Sequence, residues 1–259
     1  MTWHHSQFDS DAIVGQFHLL GRVDFAAALA LQQRLVFEAG EHPTPQITVL
    51  LCEHPAVVTI GRGGSRAQIR LSQQDLDRRR LPVRWVGRGG GCVLHSPGQL
   101  AIYPILPLTR LRWSLGHFTR QLQQGVLRTL GEMGVRGETE PGHLGIWGRT
   151  GQLVAFGLAV RNWVTYHGAF VNVSPAMNPY GYIDTATAKG STTAIHGERT
   201  TMSCLLAERG RAVTMTRVRS QVIASLAEAF ACDRHHLHTG HPLLPSLTQT
   251  QRNFIARAS

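Results

Sequence analysis

Three consecutive glycines constrain this chain more than any other feature. They lie in Gly87-Arg88-Gly89-Gly90-Gly91, directly after a strand-like run at 83–86, and are followed by Cys92, Val93, Leu94 and His95 and then by Pro97, Gly98 and Gln99. A glycine run after a strand lets another backbone or a ligand come close, because no Cβ stands in the way. A triplet alone usually marks a turn. With an arginine before it and His, Pro, Gly and Gln at fixed offsets after it, the segment reads as a ligand-facing loop between two strands.

Around that loop the chain alternates strand and helix signals. Residues 17–21 read as a strand, and Asp24 then caps a helical run at 25–38 that ends at Gly40. Runs at 47–52 and 56–60 read as strands broken by Glu53-His54-Pro55, and residues 72–80 as a short polar helix begun by Ser72. Strands follow at 83–86, at Val93 and at 100–105, then a long helix at 115–133 stopped by Gly134. Residues 144–147 and 153–160 read as strands joined across a hairpin-like turn at 148–151, and 165–173 as another strand. Residues 174–200, rich in Gly, Thr and Pro, read as a long mobile loop; a helix is expected at 215–230 and a loosely held polar tail over 233–259. No repeat or linker divides the 259 residues, so a single α+β domain is expected, a mixed sheet flanked by helices.

Composition narrows the class. No run of 18 apolar residues exists, which excludes a membrane-spanning helix, and the first residues lack the basic-then-apolar pattern of a secretory signal, so the expectation is a cytoplasmic protein. Cys52, Cys92, Cys204 and Cys232 are scattered without C-x-x-C pairing, which argues against a zinc ribbon or a disulfide scaffold. The net charge of +10 rests almost wholly on arginine, since Lys189 is the single lysine. Such a field attracts acidic partners, but no basic stripe interleaved with aromatics points to nucleic acid. His235, His236, His238 and His241 could hold a metal, but in a polar tail the plainer reading is solvated histidine.

Residues 88–100 resemble the signature R-G-G-x-x-T-[YF]-H-x-P-G-Q-L of the lipoyl(octanoyl) transferases: Arg88, Gly89, Gly90, His95, Pro97, Gly98, Gln99 and Leu100 match, while Val93 and Leu94 replace a hydroxyl residue and an aromatic. The form Gly89-Gly90-Gly91-Cys92-Val93-Leu94-His95 is also similar to the G-G-G-x-V-x-H of lipoate–protein ligases, which share the fold. Segments at 19–25, 51–62, 145–147, 163–168, 172–173 and 202–210 look like family segments in the same order, so the resemblance spans about 17–230. It implies the biotin/lipoate protein ligase catalytic-domain fold and an octanoyltransferase of protein lipoylation. Such an enzyme moves a medium-chain acyl group from acyl carrier protein to a lysine of a lipoyl domain; no cofactor is expected, and a monomer is the default expectation. It implies an acyl groove made by Arg88, Gly89, Gly90, Gly91, Cys92, Val93, Leu94 and His95 with Ala155, Phe156, Gly157, Gly168, Ala169 and Phe170. The plainer alternatives are that Arg88 and His95 tie loops together, that Gly157 and Gly168 serve packing, and that His54 and His167 stabilise turns and strands.

By the same resemblance, a cysteine in a P-C-G triplet takes the acyl group as a thioester, and a lysine opening K-[IL]-A-x-x-G steadies the thiolate. Here the triplet is Pro179-Tyr180-Gly181 and the second segment is Gln152-Leu153-Val154-Ala155-Phe156-Gly157. Tyr180 stands where the thiol belongs and Gln152 where the ammonium belongs, so neither catalytic residue is retained. A relocated site would draw its thiol from Cys92 or Cys204 and its helper from Lys189, His95 or His196. Free buried cysteines are commonly inert, and Cys52 and Cys232 read as core residues. Two functions stay open: an acyltransferase working through substituted residues, or a pseudoenzyme that binds acyl groups or lipoyl domains. A ligase that adenylates its substrate is disfavoured by Gln152 as well.

Overall fold

The computed structural model describes residues 12–41, 46–141, 143–184 and 201–244. Lys189, His196 and the rest of 185–200 lie outside them.

The chain opens with β1 (Val14–Arg22) and α1 (Phe25–Glu41), then β2 (Gln46–Glu53), β3 (Val57–Ile60), α2 (Gln73–Arg78), β4 (Val83–Trp85), β5 (Cys92–His95) and β6 (Gln99–Ile105). Helix α3 (Leu115–Glu132) leads to β7 (Ile146–Gly148), β8 (Gly151–Arg161) and β9 (Val164–Asn172). The last elements are α4 (Leu205–Arg209), α5 (Met215–Ala229) and β10 (Arg234–Thr239). Seven strands form one mixed sheet in the order β10-β1-β2-β6-β9-β8-β7, and β4-β3-β5 form a second, smaller sheet. Only β1 pairs in parallel within the large sheet, with β2 and with β10.

The large sheet is apolar on both faces, as strand alternation requires of a layer covered twice. Ile47, Val49 and Leu51 of β2 face α3 and α5, packing with Phe118, Leu122, Val126, Val222 and Leu226. Leu50 and Cys52 face α1, against Leu31 and Leu35. Helices α2, α3 and α5 each begin at a hydroxyl cap, Ser72, Ser114 and Thr214, whose oxygen accepts from a backbone N–H of the first turn. The small sheet has its own core, in which Val58, Ile60, Cys92, Leu94, Tyr180 and Ile183 pack together.

Two expectations are corrected. The tail after Asp233 is not loose at its start: residues 234–239 add to the sheet edge as β10, in register with β1 from Val14↔Arg234 to Leu19↔Thr239. Its side chains are exposed, so backbone pairing rather than an apolar face holds it, and no hydrophobic period announced it. Within the stretch read as one loop at 174–200, Asn178–Tyr182 forms a 3₁₀ turn, and α4 follows it.

Strands β9 and β6 approach so closely at Gly168 that an added Cβ would overlap the Ile102 carbonyl oxygen and meet Pro104 Cδ at 2.7 Å. Backbone cannot yield there as a flexible side chain would. Gly168→Ala is therefore expected to lower the unfolding free energy by at least about 1–3 kcal/mol, read from the denaturant midpoint.

Candidate functional site

The site begins with an arginine that has no access to water. Arg88 is 0% exposed, and its side chain turns back into the glycine loop that carries it. Nη1 donates to the carbonyls of Gly89 (3.0 Å) and Gly91 (3.1 Å). Nη2 donates to the Thr59 carbonyl (2.9 Å) and to Thr59 Oγ1 (2.7 Å). Burial pushes the guanidinium down to about 10, still well above neutral pH. The glycines make room for it. A Cβ on Gly157 would meet Arg88 Cδ at 2.5 Å, and one on Gly61 would meet Nη1 at 2.8 Å.

From Arg88 a hydrogen-bonded chain runs to Tyr180. The Gln99 amide is oriented by Leu94, whose carbonyl must receive Nε2 (3.0 Å), so Oε1 faces His95 Nδ1 at 2.9 Å. An amide oxygen only accepts, so Nδ1 of His95 carries the hydrogen and Nε2 is bare. Thr59 Oγ1, already accepting from Arg88, donates to that bare nitrogen at 2.9 Å. Gln99 Nε2 also donates to Asn172 Oδ1 (2.9 Å), and the Tyr180 hydroxyl donates to the same oxygen (3.1 Å). Asn172 Nδ2 donates to the Ser203 carbonyl (3.0 Å), and Ser203 N to the Gln152 carbonyl (2.8 Å). Tyr180 and the backbone of Gln152 thus lie at the far end of one network that starts at Arg88.

Electrostatics hold the network neutral beyond the guanidinium. Burial drives His95 well below its ordinary value, reinforced by His54 and Arg88. Burial also lowers His54, whose Nδ1 lies 2.7 Å from the Val23 carbonyl and whose Nε2 lies 2.7 Å from the Tyr103 hydroxyl. His167 falls to about 3, through burial first and Arg88 second. The Tyr180 phenol is pushed up to about 12 by burial. Tyr180 is therefore a neutral hydrogen-bond donor at physiological pH.

The residues expected to form the groove are brought together. Gly89 N donates to the Leu158 carbonyl (2.8 Å), tying the glycine loop to β8, where Ala155, Phe156 and Gly157 face Phe170, Ala169 and Gly168 of β9. Phe170 packs edge-on to His95 at 4.6 Å between centroids. Along β5, however, side chains alternate: Cys92 and Leu94 enter the small-sheet core and Val93 enters the α1-facing core.

The candidate thiols separate. Cys92 Sγ donates to Ser65 O and Gln68 Oε1, both at 3.5 Å, and burial raises it, so it stays protonated. Cys204 is buried at the start of α4, near enough to Tyr180 for its charge to affect the phenol. Cys52 is fully buried and pushed up by burial, and Cys232 is half-buried and raised to about 11 by burial. Among the described residues, no group of three or more His, Cys, Asp or Glu is arranged to hold a metal ion.

Sequence reasoning missed a pocket of about 380 Å³ beside Tyr180, lined also by Arg70, Met177, Asn178, Gly181, Ile183, Asp184, Thr201 and Met202. Those residues come from separate segments, and only those at 178–181 belong to a motif. None of the residues expected to form the groove lines it.

Residues 24–227 match the family described as the lipoyl protein ligase A/B catalytic domain. An octanoyltransferase of Syntrophobacter fumaroxidans is 35% identical over 214 residues, which is 83% of this chain and 90% of that protein. An octanoyltransferase of Geobacter metallireducens is 39% identical over 165 residues, 64% of this chain and 74% of that one. Among solved structures, the putative lipoate protein ligase Ta0514 of T. acidophilum with bound lipoic acid has a TM-score of 0.68 at 14% identity, covering 94% of this chain and 95% of that chain. A lipoate-protein ligase A bound with ATP has a TM-score of 0.69 at 14% identity, covering 92% and 94%. These two likenesses show the shared fold.

Three histidines kept neutral by burial make stability depend on pH. The folded values of His54, His95 and His167 lie below the ordinary 6.5. Their contribution is complete above pH 6.5. Below it, the unfolded chain takes up protons that the folded chain refuses, and stability is lost as pH falls toward the folded values, about 3 for His167. Each can contribute a slope of up to about 1.4 kcal/mol per pH unit. Urea midpoints are expected to fall steadily from pH 7 to pH 5. His167→Asn, which suits the positive φ of 56° at this position, should flatten that slope, and an unchanged slope would mean that His167 is protonated in the fold.

Proposed function

Because the chain belongs to the lipoyl protein ligase A/B catalytic-domain family, we propose that it transfers an octanoyl group from acyl carrier protein to a lysine of a lipoyl domain, without storing that group on a protein thiol. The two octanoyltransferases above, at 35% and 39% identity, support the reaction class. The acyl chain is assigned to the convergence of 88–95, 155–157 and 168–170.

One observation carries the departure from a thiol mechanism. The side chain at 180 is a buried phenol near 12 that donates to Asn172, and the side chain at 152 is an amide donating to the Val154 carbonyl (3.2 Å). No anion can form at the first at neutral pH, and no cation stands at the second to stabilise one. Transfer then proceeds in one displacement. The lysine amine attacks the thioester carbonyl, the C–N bond forms, the C–S bond breaks, and the amine's proton leaves with the carrier's thiolate. The protein contributes by holding both reactants in register, an effect that can supply several kcal/mol of the barrier. The same observation favours a second reading, in which the protein binds the acyl carrier or the lipoyl domain and catalyses nothing.

Octanoyl acyl carrier protein and a lipoyl domain, mixed with this protein, separate these readings by intact mass. We expect the lipoyl domain to gain one octanoyl group while this protein gains none, with initial-rate lines that intersect rather than run parallel. An adduct mapped to Cys204 or Cys92 would overturn the single displacement in favour of a relocated thiol. Binding without transfer would establish the non-catalytic reading. Restoring the pair, Tyr180→Cys with Gln152→Lys, is expected to introduce an acyl-thioester on residue 180. A folded double variant that never acylates would count against the inherited acyl site.

A further inference from the structure

The pocket beside Tyr180 has no role in the reading above, and its walls specify an occupant. At about 380 Å³ it falls within the range of roughly 300–1,000 Å³ usual for small-ligand sites, and is far larger than the tip of a lysine side chain. Met177, Ile183 and Met202 give it apolar surface, and Asn178 and Thr201 add an amide and a hydroxyl. Tyr180 forms one wall at the position of the family's thiol. Arg70 stands in another wall, exposed, with no side-chain hydrogen bond or ion pair among the described residues. Its backbone N–H donates to the Tyr182 carbonyl (2.9 Å), which fixes the start of the side chain against the 3₁₀ turn.

From these observations we propose that the pocket holds the pantetheine arm of the acyl donor, with Arg70 gripping its phosphate. This rests on the octanoyl-transfer reading and names the donor contact it requires. The arm carries two amides, a hydroxyl and paired methyls, which suits a wall of mixed polarity. Its sulfur end must reach the reacting carbonyl, and its phosphate end must point toward the carrier outside. The competing occupant, the acceptor lysine, is a cation, and the unpaired group at the rim is also a cation. Asp184 in the same lining leaves the wall with both signs. An anion is therefore selected by the fork of Arg70 rather than by a broadly positive field.

Gly181 supplies a clean probe. A Cβ added there meets no described atom within 4 Å, and its φ is not in the left-handed region. A phenylalanine at 181 can fill the pocket without disturbing the fold. The test is calorimetric titration with two ligands, octanoyl-phosphopantetheine and octanoyl-pantetheine, each with the thioester replaced by an amide so that it cannot react. The phosphorylated ligand is expected to bind about tenfold more tightly, the size of one charge-assisted contact. Arg70→Ala should abolish that preference and leave the dephosphorylated ligand unchanged. Gly181→Phe should weaken both.

Equal affinities in the unaltered protein, or a preference that survives Arg70→Ala, would overturn the proposal. If octanoyl acyl carrier protein still binds while both variants behave as the unaltered protein, only the pocket assignment falls and the donor stands. If neither the ligands nor octanoyl acyl carrier protein binds, the octanoyl-transfer reading falls, and this proposal with it.

Discussion

A guanidinium sealed from water is costly to bury, and the surrounding architecture satisfies its two terminal nitrogens while Nε is left without a hydrogen-bond partner. A buried ion without partners is prohibitive, whereas one whose hydrogens meet fixed acceptors is tolerated. Arg88 meets its acceptors on two elements, the glycine loop at Gly89 and Gly91 and strand β3 at Thr59. Both are backbone-rich and admit no bulk. The glycines at 61 and 157 leave the volume that the side chain occupies, and Gly89 hands its N–H to β8. The side chain thus fixes the glycine loop to β3, and the loop is tied to the large sheet by the Gly89 backbone and by the packing of Arg88 beside Gly157, at the place where the acyl chain is assigned.

That anchoring gives the neighbouring hydrogen bonds a direction. Arg88 has no acceptor, so Thr59 must accept from it and donate onward, His95 must be bare at Nε2, and Gln99 must present its oxygen to Nδ1. The order continues to Asn172, which accepts twice on Oδ1 and donates from Nδ2. Reversing any member would set donor against donor. Buried networks of this kind are stable only when every member is satisfied, and they then hold a site rigid. Tyr180 fits because the chain ends on an oxygen that can still accept, and because its ring packs into the core shared by Cys92, Leu94 and Ile183.

Much of this was legible in the chain. The glycine triplet with His95 and Gln99 drew attention to the segment that carries the network, and helix starts such as Asp24 and Ser72 were marked by neighbouring residues alone, whereas the caps at Ser114 and Thr214 were not read. The family of the chain was legible from the same motifs. What escaped was what local pattern does not encode. Strand β10 is exposed at every position and carries one apolar residue, Leu237, so its membership in the sheet comes from backbone bonds to β1, more than two hundred residues earlier. Helix α4 has five residues, too few to show a period. Val93 and Leu94 read together as one apolar surface, but adjacent residues on a strand point to opposite faces, and the two cores that receive them exist only after folding. The pocket at Arg70 depends on segments brought together from 70, 177–184 and 201–202.

The side chains at 180 and 152 belong to one neutral arrangement. Burial keeps the phenol at 180 neutral, so it meets the Asn172 oxygen as a donor; a phenolate there would set negative charge against that acceptor and turn a satisfied contact into a repulsive one. The phenol donates, the amide of Gln152 finds the Val154 carbonyl, and no charge is left in the network beyond Arg88. The result is a neutral, fully directed wall. Such a wall can position a thioester that another molecule attacks, and it has no group of its own to do the attacking.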